Sequence, residues 1–161
     1  MRCASCSHTM TTRRENAPYA ALPSTVLVSV SVSRCANCGE REVEIPAPDL
    51  LNRALAGAVI RKRSRLTGGE VRFLRKCLGY SAADFARLIR SDPATVSRWE
   101  GDRQAIGHHT DLLLRAIVAL GCKIECPIAS FAGVHPKVVA GRRPRYAYMF
   151  ARTWRPTELG A

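Results

Sequence analysis

The pattern of hydrophobic and polar positions separates a strand-bearing N-terminal part of the 161-residue chain from a helical middle part. From Val26 to Ser33, valines alternate with one leucine and three serines. Strict alternation of this kind is typical of a half-buried β-strand. The sequence Ile45-Pro46-Ala47-Pro48 follows, and its prolines interrupt strand pairing and stiffen the chain. The pattern therefore predicts a small strand-containing module over residues 1–45.

Residues 46–65 are predicted to be a linker that contains one helix. Apolar residues recur at helical spacing from Asp49 to Lys62, and Asp49 is placed to act as the N-cap. The apolar stripe consists of Leu50, Leu51, Ala54, Leu55, Ala58 and Val59. Residues 61–65, with the sequence Arg-Lys-Arg-Ser-Arg, follow as a strongly basic segment that we call the basic hinge.

Residues 66–121 predict a bundle of four short helices, each with its own start signal. The signals are the capping box of Thr67 and Glu70, Ser81 with Asp84, the pair Asp92-Pro93, and a fourth start near His109. Gly79 and Gly121 are the expected stops. The positions predicted to face inward are Val71, Leu74, Leu78, Phe85, Leu88, Ile89, Val96, Trp99, Leu112, Leu113, Ala116 and Ile117. Residues 122–161 form a C-terminal extension in which the pattern indicates one strand, Tyr146 to Phe150.

Two Cys-x-x-Cys pairs, Cys3 with Cys6 and Cys35 with Cys38, are separated by 28 residues. Zn²⁺ prefers four thiolates in a tetrahedron, and each Cys-x-x-Cys turn can place two sulfur atoms on one ion. A module of about 45 residues has too little core to fold alone, so the metal would supply folding free energy. The spacing predicts one structural Zn²⁺ ion bound by all four thiolates. The alternatives are a redox pair or two disulfides, which reducing conditions in the cytoplasm disfavour.

The remaining cysteines carry weaker signals. Cys77 lies on the first predicted helix of the bundle and is expected to be a core thiol. Cys122 and Cys126 are candidates for a second metal site together with His108 or His135. Their Cys-x-x-x-Cys spacing is looser than that of zinc knuckles.

The charge distribution favours a polyanionic partner. The chain has 25 Lys and Arg against 13 Asp and Glu, and eight of the cations lie between Arg53 and Lys76 with the single acid Glu70. Neutralising phosphates releases condensed counterions, so such clustering favours nucleic acid, although a solvated basic face is the alternative. The sequence has neither a leader pattern nor a long apolar run, which predicts a cytoplasmic protein with no membrane partner. No catalytic constellation is present in the sequence, so we expect no enzyme activity.

The segment from Ser81 to Gly101 resembles the Xre/Cro-type helix-turn-helix family, whose fold is lambda-repressor-like. The family's recognition helix often ends in a string that stands here as Thr95-Val96-Ser97-Arg98-Trp99-Glu100. The resemblance implies that Ala94, Thr95 and Arg98 face DNA while Val96 and Trp99 pack inward. Arg98 is the expected base reader, since a guanidinium can pair with guanine O6 and N7. The expected contacts to the DNA backbone are Ser81, Arg90, Ser97 and Arg103. A bundle used only for packing or dimerisation is the alternative.

The combination of a four-cysteine module with this helical segment is similar to the MqsA-type antitoxins, also called the YgiT-type zinc-finger family. The features that fall in register over about residues 1–120 are Met1-Arg2-Cys3, Cys35-x-x-Cys38, the linker helix and the string Ser97-Arg98-Trp99-Glu100. The resemblance implies an α+β chain that forms a homodimer and binds a palindromic operator in double-stranded DNA. It also implies repression of its own operon and neutralisation of a partner ribonuclease toxin by the zinc module.

Two further alternatives remain open at the level of sequence. One is a zinc-finger helix-turn-helix regulator of the mobile-element or phage type that has no toxin partner. The other is an RNA-binding zinc ribbon in which Tyr146, Tyr148 and Phe150 stack on bases.

Overall fold

The computed structural model describes residues 1–134 and 146–158, and its architecture is α+β. The described residues form two compact units. One comprises residues 1–51 and 146–158, and the other comprises residues 52–134. The first unit is therefore discontinuous in sequence, because the C-terminal residues join the N-terminal module.

A mixed five-stranded sheet forms the first unit. Its strands are β1 (Met10–Pro18), β2 (Thr25–Cys35), β3 (Arg41–Val43), β4 (Tyr146–Ala151) and β5 (Thr153–Pro156). Strand β1 runs antiparallel along one edge of β2. The other edge is shared, since β3 pairs antiparallel with residues 32–34 of β2 and β4 pairs parallel with residues 25–28. The predicted strand at Tyr146 is confirmed, and β5 pairs antiparallel with it.

The predicted valine strand is confirmed as β2, but its buried face changes sides at Ser29. Thr25 and Leu27 are buried before that point, whereas Val30 and Val32 are buried after it. Ser29 has a φ of +54°, and the pairing register with β1 shifts opposite it. A β-bulge of this kind inserts one residue and reverses the inward parity. The bulge explains why the valines before Ser29 remain half-exposed.

Five α-helices are described. They are α1 (Pro48–Arg61), α2 (Gly68–Cys77), α3 (Ala82–Leu88), α4 (Pro93–Glu100) and α5 (His108–Gly121), and a short 3₁₀ helix (Ile128–Phe131) follows. Helix α1 begins at Pro48, so Asp49 lies in its first turn and is not the N-cap. Leu50 of the predicted stripe is exposed, whereas Leu51, Leu55 and Val59 are fully buried.

The predicted start signals of α2, α3 and α4 are confirmed as hydrogen-bonded caps. The Thr67 hydroxyl accepts from the Glu70 amide while the Glu70 carboxylate accepts from the Thr67 amide, which completes a capping box. Ser81 Oγ accepts from the Asp84 amide at 3.1 Å. Asp92 Oδ1 accepts from the Ala94 amide at 2.7 Å, and proline occupies the first helical position of α4.

The inward face predicted for α5 is wrong in phase. The buried residues of this helix are Asp111, Leu114, Arg115 and Val118. Of the predicted set, Leu113 is 47% exposed, and Leu112, Ala116 and Ile117 are only partly buried. Leu88 of α3, also predicted inward, is 44% exposed. The pattern failed on α5 because it assigned every charged side chain to the solvent, whereas an Asp–Arg pair occupies the inner face.

That pair, Asp111 with Arg115, is fully buried and holds the basic hinge in place. The Arg115 guanidinium donates to the backbone carbonyls of Ile60, Lys62 and Ser64 at 2.6–2.9 Å. Asp111 accepts from Arg115 Nε and, through its other oxygen, from the Leu66 amide at 2.8 Å. One ion pair therefore fixes the backbone from the end of α1 to the start of α2.

Candidate metal centre and nucleic-acid interface

The four cysteines predicted as metal ligands converge in the first unit. The sulfur atoms of Cys3, Cys6, Cys35 and Cys38 all lie within 4.8 Å of one another. Two of the separations are 3.5 Å, between Cys3 and Cys38, and 3.4 Å, between Cys6 and Cys35. Zn–S bonds of about 2.3 Å in a tetrahedron place sulfur atoms about 3.8 Å apart, so the cluster has the size of a Zn–thiolate site. Disulfide S–S bonds are about 2.05 Å long, and all four thiols are free.

The two Cys-x-x-Cys turns have the same backbone geometry. In each turn the amide of the residue after the second cysteine donates to the carbonyl of the first cysteine, Ser7 to Cys3 at 2.9 Å and Gly39 to Cys35 at 3.0 Å. Both donors have left-handed backbones, with φ of +60° at Ser7 and +76° at Gly39. Glycine readily adopts the left-handed conformation seen at Gly39, whereas a serine such as Ser7 gives no such signal in the sequence. The duplicated geometry aims two sulfur pairs at one point.

The pKa values of two thiols in the cluster are shifted in opposite directions. A hydrogen bond from the His8 backbone, with help from the Cys35 thiol, lowers the pKa of Cys6 to about 6. The Glu40 backbone lowers the pKa of Cys38, but the thiols of Cys6 and Cys3 outweigh it and raise that pKa to about 12. The pKa of Cys6 favours its thiolate at neutral pH, whereas metal binding by Cys38 must displace a proton. Four sulfur ligands and a small core are consistent with a structural zinc.

The candidate second metal site is not assembled within the described residues. The four-cysteine cluster is the only group of three or more His, Cys, Asp or Glu ligands that residues 1–134 and 146–158 bring together. His135 lies outside the described residues. Cys77 is half-buried, and burial together with Cys122 raises its pKa to about 12, which keeps it a neutral thiol.

The residues predicted to meet DNA lie on the surface of the second unit, on or near α3 and α4. Ala94, Ser97 and Arg98 of α4 are exposed and Thr95 is half-exposed, whereas Val96, Trp99 and Glu100 are buried. Ser81, Arg90 and Arg103 lie at the helix ends and turns, and all three are exposed. Arg98 Nη2 donates to Thr95 Oγ1 at 2.7 Å, and Arg103 Nη2 donates to Ser97 Oγ at 3.2 Å. Helix α4 is therefore amphipathic, with a polar side that carries the Arg98 guanidinium and the hydroxyls of Thr95 and Ser97.

Two contacts that the sequence pattern missed lock α4 onto α2. The carboxylate of Glu100 receives two hydrogen bonds from Arg75, at 2.6 and 3.0 Å, and both side chains are less than 10% exposed. Gly68 lies so close to the end of α4 that an added Cβ would be 2.3 Å from the Trp99 carbonyl oxygen. The Gly68 amide also donates to Asp102 Oδ1 at 2.6 Å. Hydrophobic periodicity could not reveal a buried Arg–Glu pair or a glycine chosen for close approach.

The aromatic residues proposed to stack on RNA do not form an exposed row. Tyr148 is 4% exposed, and Trp154 is buried with its Nε1 donating to the Pro46 carbonyl at 2.7 Å. Phe150 packs against Trp154 with the ring centroids 5.3 Å apart. These rings therefore contribute to the core of the first unit.

No helix in the described parts of the chain is long and apolar enough to cross a membrane. Comparison with known proteins finds no matching family model, no similar curated protein and no similar solved structure.

Proposed function

We propose that this chain is a sequence-specific DNA-binding transcriptional repressor in which α3 and α4 form a helix-turn-helix. The observation that carries the proposal is the two-sided character of α4. Val96, Trp99 and Glu100 anchor it, while Thr95 and Arg98 remain on the solvent side. An α-helix with its side chains is about 10–12 Å across, which fits the major groove of about 12 Å.

The hydrogen bond between Arg98 and Thr95 supports a role for Arg98 in reading bases. A guanidinium has five N–H donors, and one bond to Thr95 Oγ1 leaves enough of them for guanine O6 and N7. The bond also restricts a long side chain before DNA is bound, which lowers the entropic cost of the contact. Thr95 is placed beside it, where its methyl group can contact a thymine methyl.

Contacts to the DNA backbone are assigned to the residues around the ends of α3 and α4. Ser81 caps the start of α3, and Arg90 lies in the turn before α4 with a φ of +54°. Ser97 and Arg103 are linked by a hydrogen bond at the far end of α4. Such contacts set the position of the protein on the duplex but carry no sequence information by themselves.

A palindromic operator would require two copies of the chain, and α5 offers a surface for this homodimer. Leu113 and Leu120 are 47% and 81% exposed, and the half-buried Ala116 and Ile117 lie between them at helical spacing. Apolar side chains in a stripe of this kind are costly to leave in water. Sedimentation equilibrium at micromolar concentration should give twice the protomer mass, and a single protomer mass would contradict the homodimer.

The experiment that tests DNA binding is a mobility-shift titration with DNA from upstream of the chain's own gene, at fixed salt and with random-sequence competitor. We expect Arg98→Ala to lose about 1–3 kcal/mol of specific binding, or roughly 5- to 150-fold, with the fold intact. Arg155→Ala is the matched control, because it removes an exposed arginine from β5 in the other unit. Equal affinity of Arg98→Ala and wild type for the specific site would refute the role of Arg98.

The finer proposal is that the chain is the antitoxin of a type II module, and it is supported by the MqsA-type resemblance together with the four-cysteine cluster. In this proposal the zinc module neutralises a toxin while the helical unit represses the operon. The alternative is a mobile-element or phage regulator with the same DNA-binding unit and no toxin. A toxin-sized reading frame beside the gene, whose product co-purifies with this chain, would support the antitoxin. Without such a product the regulator is favoured.

A further inference from the structure

We propose that the basic hinge, residues 61–65, is a preformed site for the phosphate backbone of DNA, with Arg63 as its principal contact. The inference rests on the proposed DNA-binding function and extends it to a segment outside α3 and α4. Guanidinium groups that have no acidic partner bind phosphate well, and phosphates form the backbone of DNA.

The backbone of the hinge is fixed by groups that point inward. The Arg115 guanidinium holds the carbonyls of Ile60, Lys62 and Ser64, and Asp111 holds the amide of Leu66. Every second residue from Ile60 to Leu66 therefore has a backbone group that is hydrogen-bonded to the buried ion pair. A buried ion pair contributes little net stability compared with apolar residues of the same size. Its clear structural effect here is to hold a surface loop in one conformation.

The basic side chains of the hinge differ in whether they already have a partner. The Lys62 ammonium pairs with Glu70, and both groups are largely buried, so Lys62 is not free for a ligand. Arg61, Arg63 and Arg65 have no ion pair within the described residues. Arg61 donates to the Glu125 carbonyl at 2.6 Å, whereas the exposed Arg63 side chain has no hydrogen-bond partner in the described part of the chain. Arg63 thus offers a guanidinium group to a ligand from a backbone that is held in one conformation.

The start of α2, which follows the hinge in sequence, lies against the end of α4. Three residues after Arg65, Gly68 contacts the Trp99 carbonyl and bonds Asp102, in the turn that follows Arg98 and precedes Arg103. A duplex bound by Arg98 would therefore have phosphates close to this end of the helix. Because the loop is held before binding, ordering it costs little entropy when the phosphate is engaged.

The test measures the salt dependence of DNA binding by the zinc-loaded, full chain. Fluorescence anisotropy would be recorded between about 50 and 200 mM KCl with two duplexes, one from upstream of the gene and one of random sequence. Each phosphate contact adds about 0.9 to the slope of log affinity against log salt, so Arg63→Ala should lower the slope by about that amount on both duplexes. Between about 50 and 200 mM KCl, the factor by which affinity falls should be about 3.5 times smaller for Arg63→Ala than for wild type. Arg63→Lys should keep the slope, and so should the charge-matched control Arg155→Ala.

The outcomes separate the hinge from the proposed function. Specific binding with an unchanged slope for Arg63→Ala would overturn the hinge site and leave the repressor standing. A similar slope change in Arg155→Ala would mean that net charge, and not a hinge contact, is responsible. Random-sequence binding alone, with a lower slope for Arg63→Ala, would support the hinge and overturn sequence-specific repression. Absence of binding to either duplex would overturn both proposals.

Discussion

Replacing Arg115 with methionine should destabilise the helical unit severely, because Arg115 is the cation that balances the buried carboxylate of Asp111. The Arg115 side chain is fully buried, and Asp111 beside it is 1% exposed. In Arg115→Met, Asp111 keeps the hydrogen bond from the Leu66 amide, but three backbone carbonyls lose their donor. Removing one partner of a buried ion pair costs about 3–5 kcal/mol. Since small domains have about 5–15 kcal/mol of stability in total, this loss is a large share of it.

The assay is urea unfolding of the zinc-loaded chain followed by far-ultraviolet circular dichroism, which reports mainly on the helices. Arg87→Met is the matched control, because Arg87 also pairs with an aspartate on its own helix but is 79% exposed. Its midpoint should remain within experimental error of wild type, since exposed pairs contribute little. The double variant Arg115→Met with Asp111→Leu should recover part of the loss, because no charge is then stranded in the core. A loss below about 1 kcal/mol for Arg115→Met would refute the reasoning.

Two further predictions concern the metal cluster and the contact between α2 and α4. Cys35→Ser should abolish stoichiometric zinc binding, measured by atomic emission. The same variant should make residues 1–45 sensitive to protease while the helical unit survives. The control Cys126→Ser should retain one zinc per chain. Gly68→Ala should destabilise the helical unit by about 1–3 kcal/mol in urea unfolding, since its Cβ would meet the Trp99 carbonyl. Gly69→Ala, where nothing lies within 4 Å, should instead be neutral or stabilising, and equal effects of the two alanines would contradict the close approach.

Local chemistry made several features of the fold predictable from sequence. The caps at Thr67, Ser81 and Asp92 were identified because each is a bond between a side chain and a backbone amide two or three residues away. The cysteine cluster was predictable for the same reason, since each Cys-x-x-Cys turn is local and the metal preference joins the two turns.

Other features depend on partners far away in sequence. The pairing of β4 with β2 joins residues 146–149 to 25–28, and nothing in either segment specifies the other. The bulge at Ser29 reversed a pattern that looked uniform. On α5, the inner face was misassigned because Arg115 is charged, yet its donors are satisfied by carbonyls of the basic hinge. Burial of charge is visible only when the acceptors are known.

The parallel pairing of β4 with β2 affects the order in which the parts of the chain can fold during translation. The helical unit lies between the two parts of the sheet in sequence, so all of residues 52–134 must be synthesised before β4 can reach β2. Until then, residues 25–28 of β2 have an unpaired edge, which is a site where strands of other molecules can add. The nascent sheet is thus vulnerable to misassembly for longer than the helices. A ribosome that stalls before residue 146 would release a chain with its helical unit complete and that edge of β2 uncovered.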